Sequence, residues 1–345
     1  LYLAIASPIP ARAAPIDPDG TVHMPAMDVP FSSLASPQAR QAFVAGAALA
    51  RRFMAIAPAD IAASRRLVEV EFGKLLAKSL AAYPVVIRPR RIGGIYTDDI
   101  APKAGVSAAN EHRVLINLHG GGFSNSARIG GKVEGVPVAA IGKIRVIAID
   151  YRQGPENKFP AASEDVASVY RELLKQYPAS NIGIYGCSAG GLLTAETVAW
   201  LQTHHLPRPG AIGIFCASAS GWAGGDSTYV ASASGTVAQA TNSPHFAVSD
   251  VAYFSAAKLD DPLVLPIHAP GIMARFPPSL IITGTRDVSM SSAIHTHAEL
   301  VKLGVEAELH VWEGMGHGFF YDPGLPESRE AYDVIAHFFD RHLGR

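Results

Sequence analysis

The stretch Gly186-Cys187-Ser188-Ala189-Gly190-Gly191 constrains this chain more than any other. It sets a serine among glycines directly after the apolar run Asn181-Ile182-Gly183-Ile184-Tyr185, which reads as a buried strand. A serine with glycine two residues away on either side is the sequence form of a nucleophile elbow. In that strand-to-helix turn the serine backbone is strained, and side chains at the flanking positions would strike neighbouring backbone. The turn pushes the hydroxyl into a cleft. A bare Gly-x-Ser-x-Gly also occurs as a plain glycine-rich turn, so its company decides the reading.

Upstream, Val114-Leu115-Ile116-Asn117-Leu118 is a second buried-strand run, and it ends in His119-Gly120-Gly121-Gly122-Phe123. Three successive glycines at a strand end read alone as a flexible loop. Beside a serine elbow they expose backbone N–H groups suited to the negative oxygen that develops during acyl transfer to a serine. The N–H of Ala189, next after the serine, is the remaining donor.

A neutral serine is a weak nucleophile and needs a base, which in turn needs an orienting acid. Ser279-Leu280-Ile281-Ile282-Thr283-Gly284 reads as a strand, and Thr285-Arg286-Asp287 puts a carboxylate just past its end. Ala307-Glu308-Leu309-His310-Val311-Trp312 reads as the next strand, and Gly314-Met315-Gly316-His317-Gly318-Phe319 puts a histidine in the loop that follows. The chain order is Ser, Asp, His, which is the order of the α/β-hydrolase triad. Strand-like runs alternating with helical segments agree: they predict an α/β fold with a mostly parallel central sheet and helices on both faces.

These residues carry a family resemblance. Over most of residues 84 to 345 the chain resembles the hormone-sensitive-lipase-like esterases of the α/β-hydrolase superfamily. Asp150-Tyr151-Arg152-Gln153-Gly154-Pro155-Glu156, followed by Phe159-Pro160-Ala161-Ala162 and Asp165, is similar to that family's Tyr-Arg-Leu-Ala-Pro-Glu segment. The resemblance implies Ser188 as nucleophile, His317 as general base and acid, and Asp287 as its orienting partner. It implies Gly121, Gly122 and Ala189 as oxyanion donors, a helical cap, and a small-molecule ester, short to medium in its acyl chain, as substrate. The chain departs from the pattern at Cys187, where aspartate is usual, at Val288-Ser289-Met290 after the acid, and at Gln153-Gly154 in place of Leu-Ala. None of these removes a triad member. An amidase or peptidase would use the same triad, and receptors on this fold bind small ligands without catalysis but typically lose a triad member.

Other candidates have plainer readings. Cys187 lies one residue before the central elbow position and would point away from the oxyanion site; Cys216, in an apolar run, reads as core, so a disulfide framework is not expected. Asp322 would approach the histidine from the wrong side of the elbow, which favours Asp287. His295 and His297, two apart on a helix, face different ways, and His204-His205 end the helix after the elbow. No spacing suggests a metal or a nucleotide loop, so no cofactor is expected; Gly130-Gly131-Lys132 reads as a loop beside the site.

At 345 residues, 48% hydrophobic and 17% charged, the chain is long enough to bury a large core. A formal net charge of −1 points to neither nucleic acid nor an anionic membrane surface, and no apolar run spans a bilayer. Residues 1–20 read either as the tail of a secretory signal, with Ala11-Arg12-Ala13 as its cleavage site, or as an apolar arm. The first implies a secreted or periplasmic protein, the second a cytoplasmic one. Residues 21–83 are expected to hold N-terminal cap helices, two or three of them amphipathic over 36–82. Residues 84–345 form the catalytic domain, with a further cap insertion at about 218–276. Within it Ser218 to Asn242, rich in Gly, Ser and Ala, reads as a mobile lid. Phe123, Trp222, Tyr229, Phe246 and Tyr253 are candidate pocket aromatics, and the last four read equally as packing for the cap's own core. The oligomeric state is open, a homodimer included.

Overall fold

The computed structural model describes residues 16–23, 28–56, 60–222, 224–233 and 248–344. The chain divides into two compact units, Leu1–Ser32 and Ser33–Arg345. In the first, Ile16 and Val22 form an antiparallel bridge, and His23 Nε2 lies 2.8 Å from the Asp17 carboxylate. Ala11-Arg12-Ala13 lies outside the described residues.

The second unit opens with two helices, α1 (Pro37–Ile56) and α2 (Ile61–Ala82). The Asp60 carboxylate caps α2 by accepting the Ala63 N–H at 2.8 Å, satisfying one of the donors a helix start leaves unpaired. There follow β1 (Val85–Ile92), β2 (Ile95–Pro102), β3 (Val114–Leu118), α3 (Gly130–Gly142), β4 (Arg145–Ile149), α4 (Ala161–Leu173), β5 (Ile182–Cys187) and α5 (Ala189–Thr203). The chain continues through β6 (Ala211–Phe215), α6 (Asp226–Ala233), α7 (Pro270–Met273), β7 (Ser279–Arg286), α8 (Met290–Lys302), β8 (Ala307–Gly316) and α9 (Pro326–His342). Gly130 and Gly131 therefore open a helix and are not the loop expected of them. Their Cα atoms lie against His119 and Ala148, and this close packing outweighs glycine's poor helix propensity.

The eight strands form one sheet in the order β1-β2-β4-β3-β5-β6-β7-β8. β2 runs antiparallel to β1 and β4, and β3 to β8 are mutually parallel. β3, β5 and β6 are buried along their whole length, because covering both faces turns a strand into an unbroken apolar run. β4 lies on one side of β3 and β5 on the other, so right-handed crossovers put α3 and α4 on opposite faces. α9 packs on α3, and α5 packs on α4. The reversal of strand order opens a crevice outside the carboxyl ends of β3 and β5, where open α/β sheets bind ligands. Among the described residues no helix is long and apolar enough to cross a membrane.

Candidate active site

Four loops leave the carboxyl ends of parallel strands, and each carries one of the residues singled out above. Ser188 follows β5, with φ 57° and ψ −121°, a strained backbone for a residue with a side chain. A Cβ on Gly186 or Gly190 would overlap the Leu118 carbonyl oxygen, so the elbow closes only because both lack one. Register brings the glycine loop alongside: Leu118 pairs with Gly186, and a Cβ on Gly120 would stand 3.3 Å from the Ser188 Cβ. The loop then turns back through Gly121, Gly122 and Phe123, all with positive φ. Among the described residues the N–H groups of Gly121, Gly122 and Ala189 have no hydrogen-bond acceptor.

The acid and the histidine are brought together by an irregularity. Gly284 pairs with Trp312, which would set Arg286 opposite Gly314 in an even register. Instead Arg286 pairs with Gly316, so β8 bulges, and Asp287 and His317 leave the sheet side by side. A Cβ on Gly284 would overlap the Met315 carbonyl, so the bulge depends on that glycine; Thr285 Oγ1 accepts the Gly314 N–H at 2.8 Å.

Asp287 is fully buried, and hydrogen bonds surround it. Oδ1 accepts from His317 Nδ1 at 2.8 Å and from the Ser289 N–H at 2.9 Å, and Oδ2 accepts from Thr283 Oγ1 at 2.9 Å. Burial alone would push the carboxyl up. The charge and hydrogen bond of His317, the Ser289 N–H and the Cys216 thiol outweigh it and hold the group below its ordinary value. An ionised Asp287 only accepts, so His317 carries its proton on Nδ1 and leaves Nε2 free to take another. The His317 side chain is 30% exposed. Burial pulls the imidazolium down, but the charge and hydrogen bond of Asp287 prevail and its pKa stands above the usual histidine value.

Cys216, expected only to fill core, is buried as expected and does more. It has φ 47°, its Sγ accepts the Gly318 N–H at 3.3 Å, and its carbonyl accepts the Ser289 hydroxyl at 3.0 Å. It thereby ties the acid loop to the histidine loop. Cys216, Asp287 and His317 offer three ligand-type atoms within 4.8 Å of one another. Those atoms are already spent on each other and on Gly318, an arrangement that orients an imidazole rather than one open to a metal. Both cysteines are free and buried, and burial pushes both thiols up, so neither is a ready nucleophile.

The departures from the family pattern also find places. Gln153 donates its amide to His119 Nε2 at 3.2 Å, and His119 Nδ1 donates to the Gly120 carbonyl at 2.7 Å, which braces the start of the glycine loop. Burial lowers the His119 pKa and keeps the ring neutral, as this pattern of bonds requires. The Gly154 N–H donates to the Phe123 carbonyl at 2.7 Å. From above, Arg65 of α2 reaches the Ser124 and Gly154 carbonyls at 2.8 and 2.9 Å and grips Glu156 through two bonds of 2.7 and 2.8 Å. No local signal in the sequence marks Arg65 for that role.

Phe123 stacks on Tyr253 with ring centroids 4.8 Å apart and meets Phe254 and Trp222 edge-on at 5.0 and 5.9 Å. All four rings are buried, so Phe123 and Trp222 belong to one packed aromatic cluster that joins Tyr253 and Phe254 to the glycine loop. Tyr229 stands apart on α6 and is 62% exposed. Phe246 and residues 234–242 of the expected lid lie outside the described residues, and α6 occupies part of the remainder. Asp322 is spent elsewhere, 3.2 Å from Lys78 Nζ.

Residues 115–321 match the alpha/beta hydrolase fold family. The chain is similar to an acetyl-hydrolase of Streptomyces hygroscopicus, 29% identical over 237 residues that cover 67% of this chain and 76% of that protein. Among solved structures it is similar to an esterase E25, with TM-score 0.79 and 27% identity over 94% of this chain and 99% of the other. It is also similar to an esterase from the bacterial hormone-sensitive lipase family, with TM-score 0.75 and 26% identity over 90% of this chain and 99% of the other. The chain belongs to the alpha/beta hydrolase fold family and, within it, to the hormone-sensitive-lipase-like esterases, a group of carboxylic ester hydrolases.

Proposed function

We propose that this chain is a serine carboxylesterase that cleaves short- to medium-chain esters through an acyl-enzyme on Ser188. The observation that carries the proposal is the Asp287–His317 pair, joined at 2.8 Å and brought together by the β8 bulge. His317 Nε2 takes the proton of Ser188 as its oxygen attacks the ester carbonyl, and Asp287 steadies the imidazolium. The N–H groups of Gly121, Gly122 and Ala189 receive the oxyanion, which exists only along the reaction path, so their contribution falls on kcat. His317 then protonates the leaving alcohol. Water, deprotonated by the same ring, releases the acid.

The two N-terminal helices and the 218–276 segment serve as the cap over this site. Support comes from Arg65, which pins α2 across the glycine loop, and from Tyr253, which stacks on Phe123. The aromatic cluster fills the space beside the loop and favours short acyl groups, in keeping with the acetyl-hydrolase named above.

The test is hydrolysis of p-nitrophenyl esters from acetyl to palmitoyl, with matched anilides alongside. Ser188→Ala is expected to lower kcat by a factor on the order of 10⁶ while leaving the fold intact. Because His317 must be neutral to act and its pKa is raised, the rate should fall on the acid side from a point above the ordinary histidine value. Wild-type turnover by Ser188→Ala would overturn the assignment, and anilides cleaved faster than esters would make the enzyme an amidase.

A further inference from the structure

Glu134, on α3, is 4% exposed and has no step in the hydrolysis proposed above. Its carboxylate collects donors from several segments that build the site. Oε1 accepts the Gly120 N–H at 2.8 Å and the Tyr321 hydroxyl at 2.7 Å, and Oε2 accepts the Asn117 side-chain amide at 2.9 Å. Asn117 lies on β3, Gly120 begins the glycine loop, and Tyr321 stands in the turn that follows His317. Gly120 is also wedged in place: a Cβ there would lie 2.8 Å from the Tyr321 hydroxyl, 3.0 Å from the Cys187 carbonyl and 3.3 Å from the Ser188 Cβ. The backbone that Glu134 holds is therefore the backbone that lies against Ser188.

We propose that Glu134 is the positioning residue of the oxyanion loop, holding Gly120 directly and the histidine loop through Tyr321, so that the Gly121 and Gly122 N–H groups face the Ser188 oxygen. The inference rests on the serine-esterase reading and goes beyond it. A carboxylate suits the place because everything that points at it is a donor, and its two oxygens offer about four acceptor sites. Glutamine would turn an N–H toward the Asn117 amide or the Tyr321 hydroxyl and give up one of these bonds. Alanine would leave all of them unmet in a buried place.

Burial pushes the Glu134 carboxyl up to about 7, against the pull of Asn117, Gly120, Tyr321 and Cys187. The titratable groups that face it are Tyr321, Tyr185, Tyr151 and Tyr332 and the Cys187 thiol, each of which burial holds protonated. Protonation would place an O–H where a donor now points and loosen Gly120. On the acid side, then, two protons switch the enzyme off, one at His317 and one at Glu134.

The experiment measures kcat and KM on p-nitrophenyl acetate over roughly pH 5 to 9 for wild type, Glu134→Gln, Glu134→Ala, Tyr321→Phe and Ser188→Ala, with a melting curve for each. Glu134→Ala should lose about 10²-fold in kcat with KM nearly unchanged, as for removal of an oxyanion donor. Glu134→Gln should lose roughly tenfold, and its acid limb should have a log–log slope of about one where wild type approaches two. If the alanine variant fails to fold, Glu134→Gln and Tyr321→Phe carry the test, the latter expected to lose severalfold in kcat. A folded Glu134→Gln with wild-type kcat and a wild-type acid limb overturns the inference, as does a loss confined to KM. Activity that survives in Ser188→Ala overturns the esterase reading instead, so the two failures are distinguishable.

Discussion

At the elbow, where β5 turns into α5 against β3, the chain is placed by side chains that are absent, whereas on the β7–β8 side it is placed by side chains that are present. A Cβ on Gly186 or Gly190 would overlap the Leu118 carbonyl, so the elbow meets β3 backbone to backbone. Asp287 is instead held by the Thr283 hydroxyl and the Ser289 N–H, and side chains tie the loops together, the Ser289 hydroxyl donating to the Cys216 carbonyl and the Cys216 Sγ accepting the Gly318 N–H. The difference concerns tolerance. A surface made of backbone contacts has no rotamer to adjust, so an added atom must move a strand. A surface made of hydrogen bonds loses them one at a time, each at a modest net cost.

The largest effect should follow from adding one methyl group on the first side. Gly190→Ala puts a Cβ into the Leu118 carbonyl, and neither β3 nor α5 can yield, because both are buried against neighbours on either face. We expect a loss of at least about 3 kcal/mol in stability, with little folded protein recovered and no ester hydrolysis. Thermal or urea unfolding of the purified variant measures it. A variant that melts like wild type would show that the elbow backbone can give, and the contrast between the two sides would collapse.

The same contrast explains what was legible in the sequence. A glycine demanded by close backbone approach is written in a single letter, so the elbow and the His119–Phe123 loop could be read directly. β3 runs over the residues expected of it, Val114–Leu118, because burial on both faces leaves an uninterrupted apolar run. The other side was legible only as an order of residues. Nothing local in Gly314-Met315-Gly316 announces the bulge that sets His317 beside Asp287, since it depends on the lack of a side chain at Gly284 on another strand. Cys216 reads as core because its hydrogen-bond partners, Ser289 and Gly318, are both far along the chain. Glu134 carries no local signal, since one of its donors is 187 residues away. Gly130-Gly131 was misread because propensity argues locally and tight packing on His119 and Ala148 argues from a distance.

An intermediate effect should follow from removing one group on the second side. Cys216→Ala deletes the acceptor of the Gly318 N–H and the thiol that helps keep Asp287 ionised, but leaves Thr283, Ser289 and His317 in place. The acid and the histidine stay paired with less definition, so kcat should fall roughly tenfold with KM little changed, equivalent to about 1.4 kcal/mol in the barrier. Cys216→Ser, with a smaller but competent hydrogen-bonding group, should recover part of the loss. Steady-state kinetics of both variants decides the matter. A Cys216→Ala enzyme with no activity at all would mean that the acid side is as unforgiving as the elbow.

The smallest effect should come from Glu196, on the helix that the elbow begins, and it asks whether the backbone-built side is at its stability optimum. Glu196 is 0% exposed, and among the described residues neither carboxylate oxygen has a hydrogen-bond partner. Burial raises its pKa well above the ordinary carboxyl value, so the folded protein favours the protonated, neutral group. Unfolded, it would ionise. The folded state thus binds the extra proton: the stability linked to this group is complete below the unfolded pKa and is lost as pH rises toward the folded one. Glu196→Leu, close in volume and free of the unmet polar atoms, should gain about 1 kcal/mol at neutral pH and raise the melting temperature by a few degrees. The gain should shrink as the pH is lowered toward about 4, where the unfolded carboxyl also holds its proton. Ester hydrolysis should be unchanged, because backbone contacts with Leu118 place the elbow and Glu196 takes no part in them. A Glu196→Leu variant that is less stable, or that loses turnover, would show that α5 is positioned by a polar side chain after all, and the division between the two sides would have to be redrawn along the helix.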